Sequence, residues 1–318
     1  MGKYILKRTG LLFVTFFVIV TLSFIFIRML PRELPSDKAL ADIMLERWEA
    51  LGYGKPLLVQ YFIYLKGIVT SWDFGTSWYI SFRTPAFELL TSRLLPTAMV
   101  NLAAFLISVP TGLLFGSLSA LFKGRALDRV TSFGVMLFVS VPSYVYAFLV
   151  QYLLGNVLGL FPLTVYSTAT AGGWLTPKML YSMFPAILSL SFGEIAGLTR
   201  FTRAEMSESL GTDYMLFLRA RGVSRGRAVT RHALLNALVP IFPTIVASLI
   251  GILAGSIVIE EIFSIPGVGQ LYIRAINLGD YDVFMTNTLF YTFLGLLSGL
   301  AVDISYGAID PRIRVGER

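Results

Sequence analysis

The chain has 318 residues, with no cysteine and a single histidine, His232. The first absence excludes disulfides and thiolate chemistry, and the second leaves no histidine-rich metal site. Charge is scarce too. Asp, Glu, Lys and Arg make up 14% of residues, against roughly 25% in a soluble domain. No G-x-x-x-x-G-K-[ST] phosphate loop occurs, because Gly54-Lys55 is followed by Pro56; the chain has no such route for hydrolysing ATP itself. A G-x-S-x-G elbow and an H-E-x-x-H pair are missing as well. With no catalytic set in the sequence, the chain is expected not to be an enzyme.

What is abundant is apolar. Hydrophobic residues make up 55% of the chain, and the mean hydropathy is +0.72. This is the composition of an integral membrane protein. A spanning helix takes about 20 mostly apolar residues, and six segments qualify, at roughly 10–30, 98–122, 130–154, 180–199, 234–259 and 284–306. The expected fold is therefore all-α with six transmembrane helices. The first segment has a basic start, as a signal peptide does. Its apolar core, Gly10 to Ile27, is too long for one, and Arg28-Met-Leu-Pro-Arg32 is not a cleavage site. A retained helix is expected.

Six spans put both termini on one side of the membrane. The connections on that side, 1–9, 123–129, 200–233 and 307–318, hold sixteen of the 26 lysines and arginines, whereas the two short opposite loops hold only Lys178 and Arg274. The positive-inside rule then places both termini in the cytoplasm. Residues 1–30 form the N-terminal helix, 31–97 a large extracytoplasmic loop, 98–306 a five-helix core and 307–318 a cytoplasmic tail. In the large loop, Ser36 is expected to cap a helix reaching Gly52, and PLLVQYFIYLKGIVTSW to form an interfacial helix.

Pro110, Gly112, Gly116, Pro142, Gly251 and Gly255 lie inside the expected spans. Broken helices suit a translocation path, and small residues also allow close helix packing. Asn101, Gln151, Glu194 and Asp303 are the polar residues within the spans, candidates for a pore or for structural pairing. Glu194 lies six residues before Arg200. Pairing with a nearby arginine is the expectation for both acids.

The connection at 200–233 contains the run RARGVSRGRAVTRHALLNALVP, starting at Arg219. Thr212 or Asp213 is placed to cap a short helix from Tyr214 to Arg221, which Gly222 closes with positive φ. Tyr214, Phe217 and Leu218 then share one face by the i, i+3, i+4 rule. With Asp213, Arg219 and Arg221 they make a small amphipathic element suited to a groove on another protein. After Gly222, Ser224 starts a second helix whose Arg225, Arg227 and Arg231 sit at the level of anionic headgroups. Nucleic acid is not an expected partner, since no aromatic interleaves this part of the run.

These residues resemble a known family. Gly222 with RHALLNALVP downstream is similar to the cytoplasmic "EAA" loop of binding-protein-dependent ABC importer permeases, in the form found in peptide and nickel transporters. Asp303-I-S-Tyr306-G-A-I-Asp310-Pro311-Arg312-I-Arg314 resembles the family's D-x-x-Y-x-x-x-D-P-R-I-R ending. Glu260-E-I-Phe263-S-I-Pro266-Gly267-V-Gly269-Q-Leu271 resembles its E-x-x-F-S-x-P-G-x-G-x-L stretch, and Asp73-F-Gly75-T-Ser77 its D-x-G-x-S. One departure is that Leu216, Phe217 and Leu218 stand where the broad motif has Glu-Ala-Ala, so docking should rest on apolar contact.

The resemblance, closest to the first permease of peptide importers, implies a type I importer architecture. It implies a pore shared with a homologous permease, two ATPase subunits bound at the cytoplasmic loops, and an external solute-binding protein. ATP would be used by those partners, with no cofactor on this chain. The residues from Asp213 to Gly222 would be the coupling helix. Peptide is the expected substrate, because no histidine or cysteine lines a plausible metal path. Permeases for nickel or glutathione, or a secondary transporter or scaffold without an ATPase, are the alternatives.

Overall fold

The computed structural model describes residues 2–31, 34 and 37–309. The C-terminal part of the tail motif, Asp310 to Arg314, and the expected cap Ser36 lie outside them. The described residues are mostly helical, joined by loops. The strands among them form a hairpin of two-residue antiparallel strands, β1 (Thr76–Ser77) and β2 (Thr84–Pro85).

The first long helix, α1 (Gly2–Met29), is followed by α2 (Lys38–Ala50). Asp37 caps α2, its carboxylate accepting from the amides of Ala39 and Leu40. Next come α3 (Leu57–Ser71), α4 (Ala86–Ser92) and α5 (Leu94–Leu121), in which Pro110 is accommodated without ending the helix. The expected third span is not one helix. It comprises α6 (Ala126–Ser140) and α7 (Ser143–Gln151), which runs on as a π-helical turn to Val157; the two halves are bent by 102°. Pro142 removes an amide and biases the residue before it against helix, and Val141 is extended, at φ −84° and ψ 127°.

After the short α8 (Thr168–Ala171), α9 (Pro177–Leu210) starts with Thr176 accepting from the Met179 amide and with proline in its first turn. Its 34 residues reach about 51 Å at 1.5 Å each, so it carries the first eleven residues of the expected 200–233 connection as helix. Then follow α10 (Asp213–Ala220) and α11 (Arg225–Ala228), a π-helical turn at Val229–Ala233, and α12 (Leu234–Gly251). α12 ends earlier than the expected 259. Gly255 has φ +70°, and Ser256 caps a separate helix, α13 (Ile257–Ile262). α14 (Val268–Asn277) and α15 (Tyr281–Ile309) complete the chain.

Five helices are long and apolar enough to cross a membrane, and the bent pair brings the number to six if it counts as one span. α5 and α9 form the central pair. Gly112 and Gly116 let them approach: a Cβ on Gly116 would lie 2.5 Å from Thr202 Cβ, and one on Gly112 2.8 Å from Leu198 Cβ. Close packing therefore explains these two glycines. α15 lies against α12 and α1. Val20, Phe24 and Ile27 of α1 bury against Met285 and Leu289, with Tyr64 of α3 in the same cluster.

Candidate functional site

At one end of the molecule α10 hangs between α9 and α11. Thr212 takes the N-cap position, but its hydroxyl turns back to donate to the Ser209 carbonyl (2.8 Å). The C-terminus closes tightly. Gly222 donates to the Arg219 carbonyl (2.9 Å) and Val223 to the Leu218 carbonyl (3.1 Å), which is a Schellman turn. Such a turn needs a left-handed residue, and Gly222 supplies φ +76°.

The single-face reading of Tyr214, Phe217 and Leu218 needs correction. Met215 and Leu218 are the inward pair, 2% and 8% exposed, in a cluster with Met206, Ala228, Ala237 and Ile241. The outward face carries Asp213, Tyr214, Leu216, Phe217, Arg219 and Arg221. Phe217 is 55% exposed, and the Arg221 guanidinium lies 5.5 Å from its ring centre, within cation–π range. Tyr214 shares a 2.9 Å hydrogen bond with His232 Nδ1, so the one histidine ties α10 to the π-helical turn that leads into α12. Neither Met215 nor the Tyr214–His232 bond was anticipated, although the Met215/Leu218 spacing of three marks a second apolar stripe.

The polar residues within the spans are scattered. Glu194 does not pair with Arg200; its Oε2 accepts from the Ser108 hydroxyl of α5 at 2.7 Å. It opens on a cleft of about 170 Å³ lined also by Phe201, Thr244 and Ser248. The helical repeat turns residue 194 toward α5, so sequence proximity to Arg200 brings no contact. Asp303 does pair with an arginine, Arg8 of α1, at 3.2 Å. Asn101 donates to the Thr97 carbonyl of its own helix (2.7 Å). Gln151 donates to the carbonyls of Leu163 and Ile262 (2.8 and 2.9 Å), stitching α7 to the loop before α8 and to α13. Asp128 and Arg203 form a further ion pair, 2.6 Å between Oδ1 and Nε.

At the opposite end, two buried carboxylates hold the loops. Glu260 is 2% exposed. It accepts from the Thr97 hydroxyl (2.8 Å) and the Gln270 amide (3.0 Å), while Thr97 Oγ1 accepts from the Val268 amide (2.9 Å). Burial pushes the Glu260 carboxyl up from its ordinary value, opposed by these bonds and by backbone bonds from Gly269 and Ser256. A side chain at Gly267 would strike the Glu260 carboxylate, so the P-G-x-G stretch is glycine where backbone meets acid. Asp280 Oδ2 accepts from the Ser77 hydroxyl (2.6 Å) and from the amides of Trp78, Tyr79 and Ile80 (3.2, 3.1 and 3.1 Å). Asp73 pairs with Arg47 at 2.6 Å. Between these loops lies a pocket of about 500 Å³ lined by Trp48, Trp78, Tyr79, Asp280 and Asp282 among others. Among the described residues no group of three or more His, Asp or Glu side chains is arranged to hold a metal.

The geometry defines a class: a multi-helix membrane subunit with loops locked at one end and a short amphipathic helix presented at the other. Comparison with known proteins makes it specific. Residues 112–315 match the family of binding-protein-dependent transport system inner membrane components, and the chain belongs to that family. It is a non-catalytic, multi-pass component of the cell membrane, working in a transport system that depends on a binding protein. The chain is 39% identical over 316 residues to the dipeptide transport system permease protein DppB of Lactococcus lactis subsp. cremoris, covering 99% of this chain and 100% of the relative. It is 32% identical over 321 residues to DppB of Bacillus subtilis, covering 100% of both. With the oligopeptide permease protein OppB of Haemophilus influenzae the identity is 31% over 317 residues, covering 99% of this chain and 100% of the relative.

Proposed function

We propose that this chain is the permease subunit of an ATP-driven importer of dipeptides or oligopeptides, and that α10 is the element through which it is driven. It forms the path with a second homologous permease. Two ATPase subunits dock on the side that carries α10 and both termini, and a solute-binding protein delivers peptide at the opposite end. The basic residues clustered on the α10 side support that orientation. Relatives named as dipeptide and oligopeptide permeases, matched end to end, support the substrate.

The observation that carries the coupling role is the two-sidedness of α10. Met215 and Leu218 fasten it to the bundle, while Tyr214, Phe217 and Arg221 are presented outward. A helix of about two turns is marginal alone, so this one is held by its neighbours and by whatever covers its outer face. Force applied to it passes into α9 and α12, whose Met206, Ala237 and Ile241 share its buried cluster. Nucleotide on one side and the loaded binding protein on the other then bias one two-state element.

The test replaces Phe217 and Tyr214 by Asp in the complete complex. Both side chains are exposed, so the bundle should keep its stability while ATPase subunits no longer co-purify and uptake stops. Retained ATPase association would refute the assignment. A secondary transporter would instead show peptide uptake that follows an ion gradient and ignores ATP depletion.

A further inference from the structure

We infer that the groove between α6 and α9 is the inner half of the solute path, and that Arg200 receives the peptide's terminal carboxylate there; this rests on the peptide-permease reading above. Three observations converge on that surface.

The first is the break between α6 and α7. α6 has 15 residues, so it rises about 22 Å at 1.5 Å each from the basic cluster Lys123, Arg125 and Arg129. The chain thus leaves helical geometry within a hydrocarbon core about 30 Å thick. The start of α7 carries no side-chain cap, and Ser140, Pro142 and Ser143 are exposed. Non-helical backbone at that depth persists where it is buried in protein or lines a water-filled cavity, and not against lipid.

The second is the chemistry beside the break. A groove of about 320 Å³ runs from it between α6 and α9, with Thr131, Ser132, Ser140, Thr199, Arg200 and Arg203 among its walls. Thr199 is 1% exposed, and its hydroxyl has no hydrogen-bond partner among the described residues.

The third is the charge. Arg203 is committed to Asp128, Nε to Oδ1 at 2.6 Å and Nη2 to Oδ2 at 3.0 Å, and Asp128 also accepts from the Gly124 amide. Arg200, one turn away on α9, is exposed and takes part in none of the ion pairs among the described residues. It is the cation of this groove that is not already neutralised. Every unmodified peptide carries one carboxylate whatever its side chains, so a single exposed arginine on the path suits a broad peptide substrate. An anionic lipid would also meet Arg200, but it would leave the backbone at the break facing acyl chains.

The absence of native cysteine allows a direct test. Ser132→Cys and Ser140→Cys are made in the complete complex in proteoliposomes, with Val14→Cys on the exposed face of α1 as reference. A charged, water-borne thiol reagent should modify the first two and slow uptake, and leave the reference unmodified. If both groove cysteines are as inert as the reference, the groove is sealed by lipid or by the second permease, and the inference fails. Arg200→Gln is then compared with the native complex at saturating peptide, using one peptide as free acid and as C-terminal amide; the ratio to native cancels the binding protein's own preference. Uptake of the free acid should fall about two- to fivefold, the range an exposed ion pair supplies, with the amide unaffected and Arg200→Lys restoring the rate. Equal loss for both peptides overturns the carboxylate role. If the native complex takes up no peptide while the groove cysteines react, the peptide reading and with it the Arg200 role fall, and the path stands.

Discussion

The two ends of the molecule are held by different physics. At one end, Glu260 and Asp280 are buried acids whose oxygens gather hydroxyls and backbone amides from loops far apart in sequence. At the other, α10 is held by two apolar side chains, a glycine turn and one hydrogen bond to His232. Networks of satisfied buried polar groups rigidify, since any displacement strands donors in a low dielectric. A few van der Waals contacts yield more readily. The function proposed above uses this difference: the first end keeps its shape while the binding protein docks, and the second is the one that is moved.

The contrast can be broken from the locked end with the largest effect. Asp280→Ala strands the Ser77 hydroxyl and the amides of Trp78, Tyr79 and Ile80. At about 1–3 kcal/mol for a stranded buried donor, we expect it to lower the thermal midpoint of the detergent-purified protein more than any other single change named here. Glu260→Ala should come next, loosening the contact of α13 and α14 with Thr97. A midpoint unchanged in both variants would show that the acids are not locks.

At the α10 end the effects should be smaller and local. Met215→Ala removes a buried anchor, a change that costs about 2–5 kcal/mol in a well-packed core. Here we expect faster proteolysis between Leu210 and Arg225, with the rest of the bundle intact. Tyr214→Phe deletes only the bond to His232, worth about 0.5–1.5 kcal/mol. It should leave the midpoint unchanged and reduce uptake per ATP hydrolysed, measured in proteoliposomes. A coupling ratio equal to the native one would remove the His232 bond from the drive.

Much of this arrangement was legible in the residues. The apolar runs located the long helices, and the short helix with its glycine turn followed from Thr212, Gly222 and the spacing between them. What failed was non-local. Apolar composition continues through Ile252 to Ile259, so the end of α12 at Gly251 is invisible until Gly255 and Ser256 are seen to redirect the chain. Glu194 sits near Arg200 in sequence yet faces Ser108 across a helix contact. The i, i+4 rule put Leu218 on a face with Tyr214, but no sequence rule says on which side of α10 the bundle lies. Pro142 marked a break, and the size of the bend depends on what α7 packs against.

The first helix lies outside the matched family region, which begins at residue 112, yet it is fastened to the last at both ends. Arg8 pairs with Asp303, and the Tyr281 hydroxyl donates to the Pro31 carbonyl (3.1 Å). α1 is therefore made long before α15, the helix it buries against. Until α15 has been made, Val20, Phe24 and Ile27 lack the Met285 and Leu289 side chains they bury against. Domains generally fold as units, and here α1 is covered only once α15 arrives. A ribosome that stalls early leaves an open α1 face in the bilayer, a signature by which unfinished chains differ from finished ones.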